Sequence, residues 1–114
     1  MKTLLLTAGV WPTEAEARAK MWVFLRSCEK YGHQAHLYGC GRGFPGYKTM
    51  MLDYQLEYLK TIPPQYTHVL FTDGWDGMML AGMHEIEWKY KMMGAVGRSD
   101  GPDVVVSAYF GLGN

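Results

Sequence analysis

The chain has 114 residues, 48% of them hydrophobic, 14% aromatic and 19% charged, and its formal net charge is zero. This length and balance describe one globular domain and exclude a disordered segment. No basic excess is present to grip phosphate backbones, and neither a charge run nor a long apolar stretch points to a membrane, so neither nucleic acid nor a bilayer is an expected partner.

The first predicted element is a strand over Lys2–Thr7, Leu-rich and bounded by Ala8-Gly9. This apolar run is too short for a signal peptide and fits a buried strand. Thr13-Glu14-Ala15-Glu16 reads as a capping box, Thr13 being the N-cap. The helix it opens is expected to run to about Tyr31. Ala17, Met21, Phe24 and Cys28 recur along it at helical spacing, and Leu25 widens the apolar face. Gly32 supplies a left-handed stop. Cys28 and Cys40, the two cysteines, form neither a disulfide framework nor a zinc motif, and a reducing cytoplasm is the expected location. Cys28 reads as a small buried hydrophobe.

A short second strand follows at His36–Tyr38 or slightly earlier. The loop Gly39–Gly46 holds four glycines and a proline in eight residues. A second helix is predicted over Tyr47–Lys60, with Leu52, Leu56 and Leu59 forming its apolar stripe and Tyr54 and Tyr58 also packing. Pro63-Pro64 ends it. The third strand is His68–Thr72, and a third helix spans Met83–Met93. Gly97–Asp103 is turn-rich, and Val104–Ala108 is a fourth strand. Strands alternating with helices imply an α/β fold, a Rossmann-like, mostly parallel sheet with flanking helices. The expected strand order is 2-1-3-4. The many methionines, Met50, Met51, Met78, Met79, Met83, Met92 and Met93, are expected to fill the core.

The stretch Thr67–Leu80, THVLFTDGWDGMML, carries the chemistry. Its strand runs straight into Asp73, and Asp76 follows three positions later. A strand that ends in carboxylates delivers them to the edge of the sheet, where open α/β folds bind ligands. Two aspartates so spaced around a glycine-containing turn can point oxygens at one hard cation, Mg²⁺, Mn²⁺ or Ca²⁺ rather than zinc. The plainer alternative is an Asp-Gly turn with no ligand. Trp75, between the two acids, suits a nucleoside face or a core position. Lys48, beside a glycine at a helix start, suits a phosphate or simply solvent. Small residues at Thr7, Ala8 and Gly9 either admit a nucleotide or only turn the chain.

Several of these segments in order, namely strand one ending in Thr7-Ala8, FLRSCEKYG, Gly46-Tyr47-Lys48, LFTDGWD and VVVSA, resemble the glycosyltransferase domain of procollagen lysyl hydroxylases and related collagen-modifying enzymes. That family has an Asp-x-x-Asp motif with an aromatic before the second acid, as in Asp73-Gly74-Trp75-Asp76. It also has a Gly-x-Lys before the helix that precedes the aspartate strand. The resemblance spans nearly the whole chain and implies residues 1–114 to be the nucleotide-sugar-binding half of a partial GT-A fold. It implies a metal-dependent glycosyltransferase with a UDP-sugar donor and an unknown acceptor. Mn²⁺, or Mg²⁺, would be held by Asp73 and Asp76. Thr7, Ala8 and Gly9 would border the base and ribose, with Trp75 against the nucleoside and Lys48 at the diphosphate. The family's third metal ligand, a histidine, falls in the second half of the domain, beyond Asn114; His84 reads as a solvated helix residue. The expectation is therefore a truncated enzyme or, as the alternative, a vestigial or binding-only module without turnover. A completing chain or a second copy would pair along the Val104–Ala108 edge. An acidic phosphotransferase is weighed less, because strand one ends without an acid.

Overall fold

A computed structural model describes residues 1–42, 49–75 and 77–94, the side chains of residues 49–51, 93 and 94 excepted. Lys48, Asp76, the Gly97–Asp103 turn region and the Val104–Ala108 strand lie outside the described residues, as do the side chains of Met50, Met51 and Met93.

Strand β1 (Thr3–Ala8) is apolar on both faces, and Leu4, Leu5 and Leu6 are each at most 2% exposed. A strand that reads as a continuous apolar run belongs in the middle of a parallel sheet covered on both sides. That is its place. β2 (Ala35–Tyr38) pairs with one edge of β1, and β3 (His68–Thr72) with the other, both parallel, in the order β2-β1-β3. Leu5 lies beside Ala35 and Leu70, and Thr7 beside Leu37 and Thr72. The described part of the chain is thus an α/β fold with an all-parallel, Rossmann-like sheet, in the predicted order of its first three strands.

The segment between β1 and β2 is helical, but as two helices, α1 (Glu14–Lys20) and α2 (Trp22–Lys30), in place of the one expected over Thr13–Tyr31. The backbone turns at Met21 (φ −103°, ψ 26°), with neither glycine nor proline to mark the break. Tertiary packing accounts for it: Met21 is 1% exposed, and its sulfur lies under the backbone of Gly74. The Thr13 cap is present, its Oγ1 accepting from Glu16 N at 3.1 Å. α2 ends in a Schellman motif. Gly32 has φ +74°, His33 N–H donates to Cys28 O at 2.8 Å, and Gly32 N–H to Glu29 O.

α3 (Thr49–Leu59) precedes β3, and α4 (Met83–Gly94) follows it. One sheet face packs Leu5 with Phe24, Cys28 and Met79, and draws in Leu25, Met83 and Ile86 from α2 and α4. The other packs Leu6 with Val10, Tyr38 and Tyr54, with Tyr58 and Leu59 of α3. The leucine stripe read into α3 is therefore corrected. Leu52 and Leu56 are more than half exposed, and α3 instead faces the sheet with Tyr54, Tyr58 and Leu59. The core role given to the methionines holds for Met79 and for the partly buried Met83, while Met78 and Met92 are exposed. No helix among the described residues is long and apolar enough to cross a membrane.

Candidate functional site at the carboxyl edge of the sheet

Because all three strands run the same way, their carboxyl ends, Ala8, Tyr38 and Thr72, share one edge. The segments leaving that edge are bonded to each other. Gly9 N–H donates to Tyr38 O, and Gly41 N–H donates to Trp11 O, both at 2.8 Å. These bonds join the loops after β1 and β2. The loop after β3 joins through Thr7, whose Oγ1 accepts from Gly74 N–H at 2.9 Å, and through the rings of Trp11 and Trp75, 5.7 Å apart and tilted by 34°.

Asp73 stands at the exit of β3 and is exposed. One of its oxygens, Oδ1, accepts from Trp75 N–H at 3.0 Å, an Asx turn that fixes the carboxylate relative to the backbone. Its other oxygen takes no hydrogen bond from the described residues. Tyr38, 5% exposed, lies within reach of the Asp73 charge. Burial pushes its phenol up, and Asp73 adds to that. The hydrogen bond from Gln55 Nε2, at 2.7 Å to the phenol oxygen, acts the other way. Tyr38 therefore keeps its phenol proton across the physiological range.

The turn leaves no room for larger residues. A Cβ on Gly74 would stand 2.7 Å from Met21 Sδ and 2.8 Å from Thr7 Oγ1, and one on Gly77 would collide with the Asp73 carbonyl oxygen. The glycines in DGWDG thus permit a tight fold-back that keeps the Asp73 carboxylate at the sheet edge.

The sequence-predicted residues fall as follows. Asp73, Trp75, Ala8 and Gly9 are gathered at this edge. Thr7 is there too, but wholly buried, its hydroxyl engaged by the Gly74 turn. Trp75 is 60% exposed, so its core alternative is set aside and its ring is open to a ligand. His84 is exposed on the first turn of α4. Among the described residues no three of His, Cys, Asp and Glu gather as metal ligands. Asp76 and Lys48 lie outside those residues. A groove of about 710 Å³ does exist, but along α2 against Met78–Leu80; it is lined by exposed apolar side chains such as Trp22 and Leu80 and does not include Asp73.

Trp11 and Tyr38 were not singled out from sequence. Trp11 precedes Pro12 and the Thr13 cap, so local pattern marks it only as a loop residue. The signal available was its place two residues beyond the glycine at the end of the central strand. No family model matches this chain, and a search of curated proteins gives no match.

Proposed function

We propose that this chain is the nucleotide-sugar-binding half of a metal-dependent glycosyltransferase that uses a UDP-sugar donor. The observation that carries the reading is the Asp73 carboxylate, held by its Asx turn at the carboxyl edge of a parallel sheet, with one oxygen that takes no hydrogen bond from the described residues and the paired Trp11 and Trp75 rings at the same edge. Ligands of open α/β sheets bind outside this edge.

The donor chemistry suits a hard divalent cation, since Asp73 offers a carboxylate oxygen fixed by its Asx turn. Asp73 and Asp76 would hold Mn²⁺ or Mg²⁺, which neutralises the charge that builds on a departing diphosphate. Trp75, partnered by Trp11, offers the flat amphipathic face that a uracil or ribose stacks on. Ala8 borders the same corner without bulk, while Gly9 is buried with the Leu37 and Cys40 side chains packed against it. Lys48 would meet the diphosphate as a point charge.

Turnover is tested directly with this chain and a UDP-sugar. Slow Mn²⁺-dependent hydrolysis, lost in Asp76→Ala, is the expected outcome, with transfer to an acceptor confined to a longer form. Nucleotide binding with no hydrolysis here and no transfer in the longer form would favour the binding-only module. Acceptor-specific transfer by residues 1–114 alone would overturn the half-domain reading.

A further inference from the structure

The chain leaving Asp73 is held at two points, Gly74 and Met79, by buried hydroxyls from elsewhere in the fold. At the first, Gly74 N–H donates to Thr7 Oγ1 at 2.9 Å; Thr7 belongs to the central strand and is 0% exposed. At the second, Met79 N–H donates to Ser27 Oγ at 2.7 Å. Ser27 is 7% exposed, and its own hydroxyl proton goes to Phe24 O at 2.6 Å, which fixes the oxygen as an acceptor facing Met79. Both amides lie in the interior, where an unmade hydrogen bond is strongly unfavourable. Neither is part of a strand ladder or helix, so these two hydroxyls are what hold the chain at those points. Thr72, beside Thr7 in the sheet register, supplies the contrast: its Oγ1 is buried and has no hydrogen-bond partner among the described residues.

We propose that Thr7 and Ser27 are positioning residues: by holding the Gly74 and Met79 amides, they set the Asp73 carboxylate and Trp75 ring in place before any ligand arrives. This deepens the nucleotide-sugar reading and rests on it. Thr7, on this account, touches no nucleotide. It acts through Gly74, as a strut from the most buried strand of the sheet to the turn that holds the carboxylate. A merely structural hydroxyl would contribute to stability and leave affinity alone; a strut for the turn changes affinity.

The experiment compares wild type with Thr7→Val, Thr7→Ser, Thr72→Val and Ser27→Ala. UDP affinity in the presence of Mn²⁺ is measured by calorimetry, and exchange of the Gly74 and Met79 amides by NMR. Losing one buried acceptor should weaken UDP binding on the order of tenfold in Thr7→Val and speed Gly74 exchange by a similar factor. Thr7→Ser should restore both, and Thr72→Val should change neither by more than about twofold, because its hydroxyl has no partner to lose among the described residues. Ser27→Ala should free the Met79 amide and weaken UDP in the same direction, which keeps the test decisive if Thr7→Val does not fold. If wild type binds UDP and Thr7→Val and Ser27→Ala bind it equally well, positioning is overturned while the site stands. If wild type binds no UDP, the nucleotide reading falls. Amide exchange then decides the rest: local loss of protection in the variants supports the pinning, and unchanged protection overturns it.

Discussion

Cys28 and the residues around Asp73 illustrate how position in this fold sets the chemistry of a side chain. Cys28 sits in the core between α2 and the sheet, and burial, reinforced by the neighbouring Glu29 charge, pushes its thiol from 9.0 up to about 11. The unfolded chain therefore loses this proton at lower pH than the folded one, and folding stability falls as pH rises from about 9 to about 11. A shift of this size corresponds to roughly 2–3 kcal/mol. Urea unfolding at pH 8, 9.5 and 11 should show that loss in wild type and a shallower one in Cys28→Ala. At pH 8 the native thiol should react with a disulfide reagent far more slowly than a free cysteine. Near the site, Asp73 was legible because a strand running directly into an acid and a glycine turn is a local pattern. Trp11 was not, because its partner, Trp75, follows a different strand and meets it only once β1 and β3 pair. If the exposed Trp75 ring stacks on the nucleoside, Trp75→Ala should weaken UDP binding by roughly 1–3 kcal/mol, read by calorimetry, with little change in unfolding temperature.

Among the elements, β3 and the start of α4 lie where they were predicted, the strand falling between the Pro63-Pro64 stop and the Asp73-Gly74 turn. α3 was placed but turned the wrong way. Leu52, Leu56 and Leu59 recur at helical spacing, but so do Tyr54 and Tyr58, and periodicity alone does not tell which of two apolar stripes meets the sheet. The tyrosines win because the Tyr54 ring packs on Leu6, Val10 and Tyr38, while Gln55, next to it, reaches the Tyr38 hydroxyl. Accordingly Leu56→Gln should alter stability by less than about 0.5 kcal/mol, whereas Tyr54→Ala should cost about 3 kcal/mol or more by leaving a cavity beside β1; chemical denaturation separates the two. The division of α1 from α2 had no local signal at all, because the backbone bends at Met21 to seat its side chain beneath Gly74. The Thr13 cap, by contrast, is a property of its own four residues, and Thr13→Ala should cost about 1 kcal/mol.

At the scale of the molecule, one buried strand organises both the core and the site. β1 packs Leu5 toward α2 and α4 and Leu6 toward α3, and Thr7 with the loop after β1 bonds to the described segments that leave β2 and β3. The architecture was legible because the alternation of strands and helices, with a leucine-rich first strand, permits few other arrangements. The linkage between loops was not, since it depends on contacts made only after the sheet assembles. The central claim is that this edge binds a nucleoside diphosphate through a cation held by Asp73. Calorimetric titration of UDP, with and without Mn²⁺, into wild type and Asp73→Asn tests it most directly, because asparagine can keep the Asx turn while removing the charge. The account predicts Mn²⁺-dependent UDP binding in wild type that is lost in Asp73→Asn with the fold intact by circular dichroism. Equal UDP affinity in the two proteins, or binding indifferent to Mn²⁺, would contradict it.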